Sequence, residues 1–157
     1  MKLTTKGRYA VTAMMDLALQ SEQFANDADV RITLTDIAER QDISLSYLEQ
    51  LFASLRKASL VEAIRGPGGG YRLSRNSKDI SIAEILTAVS ENLNLTCGGG
   101  EACGGNDNPC LTHDLWSNLS DELYSFLDDK KLYDIIRLSP YKARSTQNFS
   151  GIPIELN

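Results

Sequence analysis

Asp36-Ile37-Ala38-Glu39-Arg40-Gln41, Asp42-Ile43-Ser44 and Leu45-Ser46-Tyr47-Leu48-Glu49-Gln50-Leu51-Phe52-Ala53-Ser54-Leu55-Arg56-Lys57 run without a break, and their reading decides the fold. The first six residues read as a short helix capped by Thr33 or Thr35, the next three as a turn, and the rest as a longer helix. In the longer helix Leu45, Leu48, Leu51, Phe52 and Leu55 form one apolar stripe. Ser46, Tyr47, Glu49, Gln50, Ser54, Arg56 and Lys57 fill the complementary face, and Ser46-x-x-Glu49 reads as a capping box at its start. Leu60-Val61-Glu62-Ala63-Ile64 then alternates like a half-buried strand, Gly66-Pro67-Gly68-Gly69-Gly70 is a turn, and Tyr71-Arg72-Leu73 returns. Helix, turn, helix and β-hairpin in that order predict a winged helix-turn-helix.

Working outward, residues 4–22 read as a helix, with Tyr9, Ala10, Ala13, Met14, Leu17 and Ala18 at helical spacing. The polar stretch 21–29 reads as a loop. Residues 81–89 form another helix, with Ile82, Ile85, Leu86 and Val89 on one face. The glycine-rich segment 97–110 is expected to be irregular. A long helix opens near Thr112, in which Leu111, Leu115, Leu119, Leu123 and Leu127 recur every four residues beside Trp116 and Phe126. Residues 132–137 suit one more helical turn. Met14, Met15 and Trp116 read as packing residues, and Asp128-Asp129-Lys130-Lys131 as a solvated helix end. The fold class is mainly α with a small β-hairpin. A winged helix-turn-helix domain at 1–80 precedes a ligand loop and long dimerisation helix at 81–138, then a flexible tail at 139–157.

The chain has 157 residues and a net charge of −5. Residues 1–80 hold 11 Lys/Arg against 10 Asp/Glu, and residues 81–157 hold 5 against 11. The acidity thus belongs to the second half, and the first half can present a basic face to nucleic acid. No apolar run approaches the ~20 residues that span a bilayer, and no signal-peptide pattern follows the basic start. A cytoplasmic protein without membrane contact is expected.

A helix-turn-helix places its second helix in the major groove. Ser46, Tyr47, Glu49 and Gln50 occupy the base-reading part of its outer face. Gln pairs bidentately with adenine, and Glu accepts from the cytosine amino group. Arg56 and Lys57 suit phosphates, and Arg65 at the hairpin tip suits a narrow minor groove. A helical hairpin with a merely solvated charged face shows the same bare pattern; the arginine-tipped hairpin favours double-stranded promoter DNA as the partner. The run 66–70 lacks the Lys-Ser/Thr of a phosphate loop and opens no helix, which argues against nucleotide binding.

All three cysteines and the sole histidine fall within 17 residues, as Cys97-x5-Cys103-x6-Cys110-x2-His113. Three thiolates and an imidazole make a four-ligand set for an iron–sulfur cluster or for zinc. Structural zinc sites favour tighter Cys-x2–4-Cys knuckles, whereas these gaps suit a larger diiron unit. Spacing alone leaves both open, with a thiol-based redox enzyme as a further alternative. The leucine stripe of the long helix suits either an intrachain core or a dimer seam. Dimerisation is preferred because reading palindromic half-sites needs a partner.

Leu3-Thr4-Thr5-Lys6-Gly7-Arg8-Tyr9-Ala10-Val11, Ser44-Leu45-Ser46-Tyr47-Leu48-Glu49-Gln50-Leu51-Phe52, Arg65-Gly66-Pro67-Gly68-Gly69-Gly70-Tyr71 and Cys110-Leu111-Thr112-His113-x-Leu115-Trp116 closely resemble the IscR family of bacterial iron–sulfur cluster regulators. The resemblance covers about residues 1–130. It implies a homodimer that binds a [2Fe–2S] cluster through Cys97, Cys103, Cys110 and His113. It also implies repression of cluster-biogenesis genes by the loaded form, a second operator class read without the cluster, and cluster donor proteins as partners. Glu49 matches the glutamate that discriminates between the operator classes, Ser46 and Gln50 match base-reading positions, and Arg65 matches the wing. The gap between Cys103 and Cys110 is six residues, where the best-known members have five. Related nitric-oxide sensors share the three cysteines but not the Leu-Thr-His element.

Overall fold

The structure, a computed structural model, describes residues 3–23, 31–96 and 110–138. The polar loop expected at 21–29 lies mostly outside them; its first residues extend helix α1, Thr5–Gln23. Buried Ala10, Ala13, Met14, Leu17 and Ala18 line one side of α1. These side chains are mostly small, so neighbouring backbones approach closely, and α1 packs against helix α2 (Leu34–Gln41), helix α6 (Leu132–Leu138) and most of the core elements between them.

Thr33, rather than Thr35, caps α2: its hydroxyl accepts from the Asp36 N–H at 3.1 Å while the Asp36 carboxylate accepts from the Thr33 N–H. The turn into helix α3 (Leu45–Lys57) closes on Asp42, whose φ of 53° lies in the left-handed region that aspartate tolerates. Ser44, not Ser46, is the N-cap of α3, accepting from the Tyr47 N–H. The expected Ser46–Glu49 box does not form, because both residues already lie inside the helix and point to solvent. Leu48, Leu51, Phe52 and Leu55 are buried, but Leu45 is 40% exposed and leaves the stripe.

Strands β1 (Val61–Ile64) and β2 (Gly70–Leu73) pair antiparallel, with Val61 opposite Leu73 and Ala63 opposite Tyr71. Burial along β1 does not alternate strictly: Val61 is buried, but Glu62 and Ala63 are both exposed where the hairpin leaves the body. The Phe52 ring meets Tyr71 edge-on at 4.9 Å and holds the hairpin against α3.

Helix α4 (Ile82–Ala88) buries Ile82, Ile85 and Leu86, and Val89 just beyond it, as its spacing predicts. Ser81 and Glu84 form its capping box. Helix α5 (His113–Asp129) has no buried residue. Residues 128–131, expected to be a solvated end, are instead docked. Asp128 accepts from the buried Ser81 hydroxyl at 2.8 Å, Lys130 O from the Ile82 N–H at 2.9 Å, and Ile80 O from the Leu132 N–H at 3.0 Å. From there α6 carries Leu132 and Ile136 into the common core, two helical turns rather than one. The tail expected at 139–157 lies outside the described residues.

An ion pair not legible in the sequence locks α2 onto α1. The Asp16 side chain is wholly buried, receives Arg40 Nε and Nη2 at 3.1 and 2.7 Å, and takes Gln41 Nε2 at 2.6 Å. These bonds offset the desolvation of its charge.

Asp36 and Glu84 give the caps a pH dependence. The Thr33 hydroxyl holds the Asp36 carboxyl below its usual range, against a smaller opposing effect of burial. Partial burial raises Glu84, but the Ser81 N–H and the Arg75 guanidinium outweigh it and the net shift is downward. Each carboxyl is thus more acidic folded than unfolded. Its stabilisation is complete above the unfolded value and is lost as pH falls through the folded one. Urea midpoints are expected to decline below about pH 4.5, and less steeply in an Asp36→Asn/Glu84→Gln double variant. An identical acid limb in the double variant would show that the boxes contribute nothing.

Candidate DNA-reading face and metal centre

Ser46, Glu49, Gln50, Arg56 and Lys57 all lie on the exposed face of α3. The buried stripe on the opposite side holds that face outward, so the first three are free of core packing and suit base edges. The Ser46 hydroxyl lies 3.0 Å from that of Ser44. Tyr47 differs from its neighbours: it is half-buried, packs on the core and meets the Tyr9 ring edge-on at 5.9 Å. Its ring joins α3 to α1, which leaves its hydroxyl end as the part suited to DNA.

Arg56 and Lys57 sit in the last turn of α3, where their charge also opposes the helix dipole. Arg56 and exposed Arg65 line one shallow groove between the end of α3 and β1. Glu62 lines it too but is paired with Arg72 at 2.8 Å, so the two arginines leave the groove suited to a sugar–phosphate backbone. Arg65 stands just before the wing turn, where the Gly69 N–H donates to Gly66 O at 2.9 Å and Gly66 takes a φ of 112°. That φ needs glycine.

Two supports of the wing escape sequence reading. The Tyr71 N–H donates to Ile32 O at 2.8 Å, adding a one-residue bridge beside β2. A Cβ on Gly70 would stand 2.5 Å from that same oxygen, so the approach demands glycine. Arg31 Nη1 reaches Pro67 O at 3.3 Å. A single bridging residue is too short for periodicity to reveal.

Of the four expected metal ligands, Cys110 and His113 are described, and Cys97 and Cys103 lie outside the described residues. Cys110 O accepts from the His113 N–H at 3.0 Å, so both residues share the turn that opens α5. Thr112 stands at the N-cap but makes no side-chain cap. Its hydroxyl instead receives Trp116 Nε1 at 3.1 Å, and Cys110 Sγ lies 3.8 Å from it. Among the described residues no side chain caps the positive end of α5, which suits a thiolate ligand there. That donor chemistry fits an iron–sulfur cluster and fits zinc as well. Among the described residues no set of three or more His, Cys, Asp or Glu is placed to hold a metal.

Several apolar side chains on or just before α5 are exposed among the described residues. Leu115 is 58%, Leu119 45% and Phe126 59% exposed, and Leu111 is fully so. Leu111, Leu115 and Leu119 of the stripe are thus outside an intrachain core within the described residues, whereas Leu127 packs against it. Among these residues no helix is long and apolar enough to cross a membrane.

Residues 3–138 match the Rrf2 family, described as iron-dependent transcriptional regulators. A putative helix-turn-helix transcriptional regulator of Haemophilus influenzae is 48% identical over 153 residues, covering 97% of each chain. The transcriptional regulator IscR of Pectobacterium atrosepticum is 50% identical over 137 residues, covering 87% of this chain and 79% of its own. Among solved structures, IscR of T. potens superposes with a TM-score of 0.67 at 32% identity, covering 97% of this chain and 93% of that one. CymR, the global cysteine regulator of B. subtilis, superposes with a TM-score of 0.68 at 30% identity, covering 88% and 98%.

Proposed function

The chain belongs to the Rrf2 family of iron-dependent transcriptional regulators, and from that premise we propose that it is a homodimer that senses a [2Fe–2S] cluster and reads promoter DNA according to cluster occupancy. Like its relatives, it is a DNA-binding transcription regulator and not an enzyme. Ser46, Glu49 and Gln50 read bases, with the Tyr47 hydroxyl beside them. Arg56 and Lys57 hold phosphates, and Arg65 enters the minor groove. Residues 1–80 carry reading, 81–138 carry sensing and pairing, and 139–157 form the tail. The targets are genes of cluster biogenesis, with loaded and cluster-free forms preferring different operators. The protein acts in the cytoplasm and receives its cluster from donor proteins.

One observation supports this reading: Cys110 and His113 stand at the start of the helix on which Leu115, Leu119 and Phe126 are exposed among the described residues. Ligation at the start of α5 bears directly on the seam, and the seam sets the spacing of two reading helices. Cys97, Cys103, Cys110 and His113 hold the group, which when bound supplies a one-electron couple and a labile occupancy.

Anaerobic purification tests the proposal. Visible charge-transfer absorbance with about two irons and two sulfides per chain is expected. Colourless protein holding about one zinc would refute the cluster and leave a zinc-stabilised regulator.

A further inference from the structure

We propose that Glu91 is a positioning residue through which the segment entering the cysteine-rich loop sets the placement of α1, and with it the reading helix α3. The proposal rests on the sensing function above for its purpose, but its contacts stand alone. Glu91 follows the end of α4, where Ser90 takes a φ of 58° and turns the chain back across the start of α1. Its carboxylate accepts from the Thr4 N–H at 2.9 Å through one oxygen and from the Thr4 hydroxyl through the other. The Thr4 hydroxyl in turn accepts from the Gly7 N–H at 3.3 Å.

This explains a motif that DNA reading does not use, Thr4-Thr5-Lys6-Gly7-Arg8-Tyr9. A Cβ on Gly7 would stand 2.7 Å from Glu91 Oε2, so glycine leaves the room the carboxylate fills. The first turn of α1 is held by an acid 87 residues away in sequence, at the end where the helix dipole favours an anion. The first turns of α1 also carry Tyr9, whose ring meets Tyr47 of α3. Beyond Glu91 the segment is tied again, because the Leu95 N–H donates to Ser120 Oγ of α5 at 2.8 Å. Residues 91–95 are therefore a strap held to α5 at one end and to α1 at the other, two residues short of Cys97. A shift of α5 pulls on Glu91 through Ser120 and Leu95, and Tyr9 passes the shift to the base-reading turn of α3. The route is a continuous set of packed contacts, and only energetic coupling demonstrates it.

Amide hydrogen exchange of the metal-free full chain is the first test. Glu91→Ala and Thr4→Val are each expected to speed exchange about fivefold in the first turn of α1 and in the N-terminal turn of α3. The second test uses DNA duplexes selected by the cluster-loaded wild-type protein from a random library. The ratio of loaded to cluster-free affinity is expected to fall about fivefold in both variants. Glu91→Gln retains an acceptor for the Thr4 N–H and a donor for its hydroxyl but loses the charge that the helix dipole favours, and is expected to restore most of both readouts. Faster exchange confined to α1, with an unchanged affinity ratio, would overturn the proposal. Equal affinity of the two wild-type forms would refute cluster sensing alone, and exchange in α3 would still decide the role of Glu91.

Discussion

Cys110→Ala is expected to yield a colourless protein that has lost DNA binding of the cluster-loaded kind and kept that of the cluster-free kind. The side chain is half-buried outside the hydrophobic core, and the bond that starts α5 runs from the His113 N–H to the Cys110 carbonyl. Alanine keeps that carbonyl, so the helix start survives. The substitution removes a thiolate at the positive end of α5, and three remaining ligands do not close a four-ligand site. Visible absorbance is expected to vanish. Affinity for duplexes selected by the loaded protein is expected to fall at least tenfold, about the coupling typical of two-state regulators. Affinity of the metal-free variant for duplexes selected by metal-free wild-type protein is expected to change less than about twofold. Retained absorbance would remove Cys110 from the ligand set. Parallel loss of both binding modes would show that the residue supports the fold instead. His113→Ala should repeat the pattern, because it keeps the backbone N–H that bonds Cys110 O and removes only the imidazole.

The reading helix was legible in the sequence for a simple reason. Leu48, Leu51, Phe52 and Leu55 recur at helical spacing, and burial on one side dictates exposure of Glu49 and Gln50 on the other. The helix starts were less legible. Ser44 and Ser46 offer the same hydroxyl, and which one caps depends on where the Asp42 turn releases the chain. Leu45 looks apolar in the pattern but lies in the first turn, ahead of the body it would need for cover. Contacts between distant residues carry no local period at all. Asp16 with Arg40, Ile32 with Tyr71 and Thr4 with Glu91 join elements whose proximity only the assembled core creates. Residues 128–131 misled for the same reason: four charges in a row read as solvated, yet their backbone ties α5 to the strand-like stretch before α4. Of the ligand set, residue type and clustering identify the chemistry, while Cys97 and Cys103 lie outside the described residues. Nothing local distinguishes zinc from a cluster, because both want the same donors.

A charge placed on the outer stripe of α5 is expected to split the dimer and, with it, nearly all specific DNA binding. At about 100° per residue, Leu115, Leu119 and Phe126 fall within about 40° of one another, and each is about half exposed. Ser120 and Leu127 turn toward the body, where Ser120 holds the Leu95 N–H and Leu127 packs on the core. The stripe is therefore a face that the described residues of the monomer leave exposed, and several large apolar side chains side by side are costly to leave in water. Pairing two such helices brings like residues together about a two-fold axis, so one Leu119→Asp substitution buries two carboxylates in the same seam. Sedimentation at about 10 μM should then show a monomer, with the melting temperature of the metal-free protein close to that of the wild type at low concentration. Half-site reading by single subunits forfeits the gain of joining two contacts, and affinity for the selected duplexes should fall by about 100-fold or more. Tyr124→Asp is the control. Tyr124 is 44% exposed but lies well over 100° round the helix from the stripe, so that variant should remain dimeric and bind DNA as the wild type does. A dimeric Leu119→Asp protein would put the subunit contact elsewhere and detach the ligands at the start of α5 from the seam they are proposed to govern.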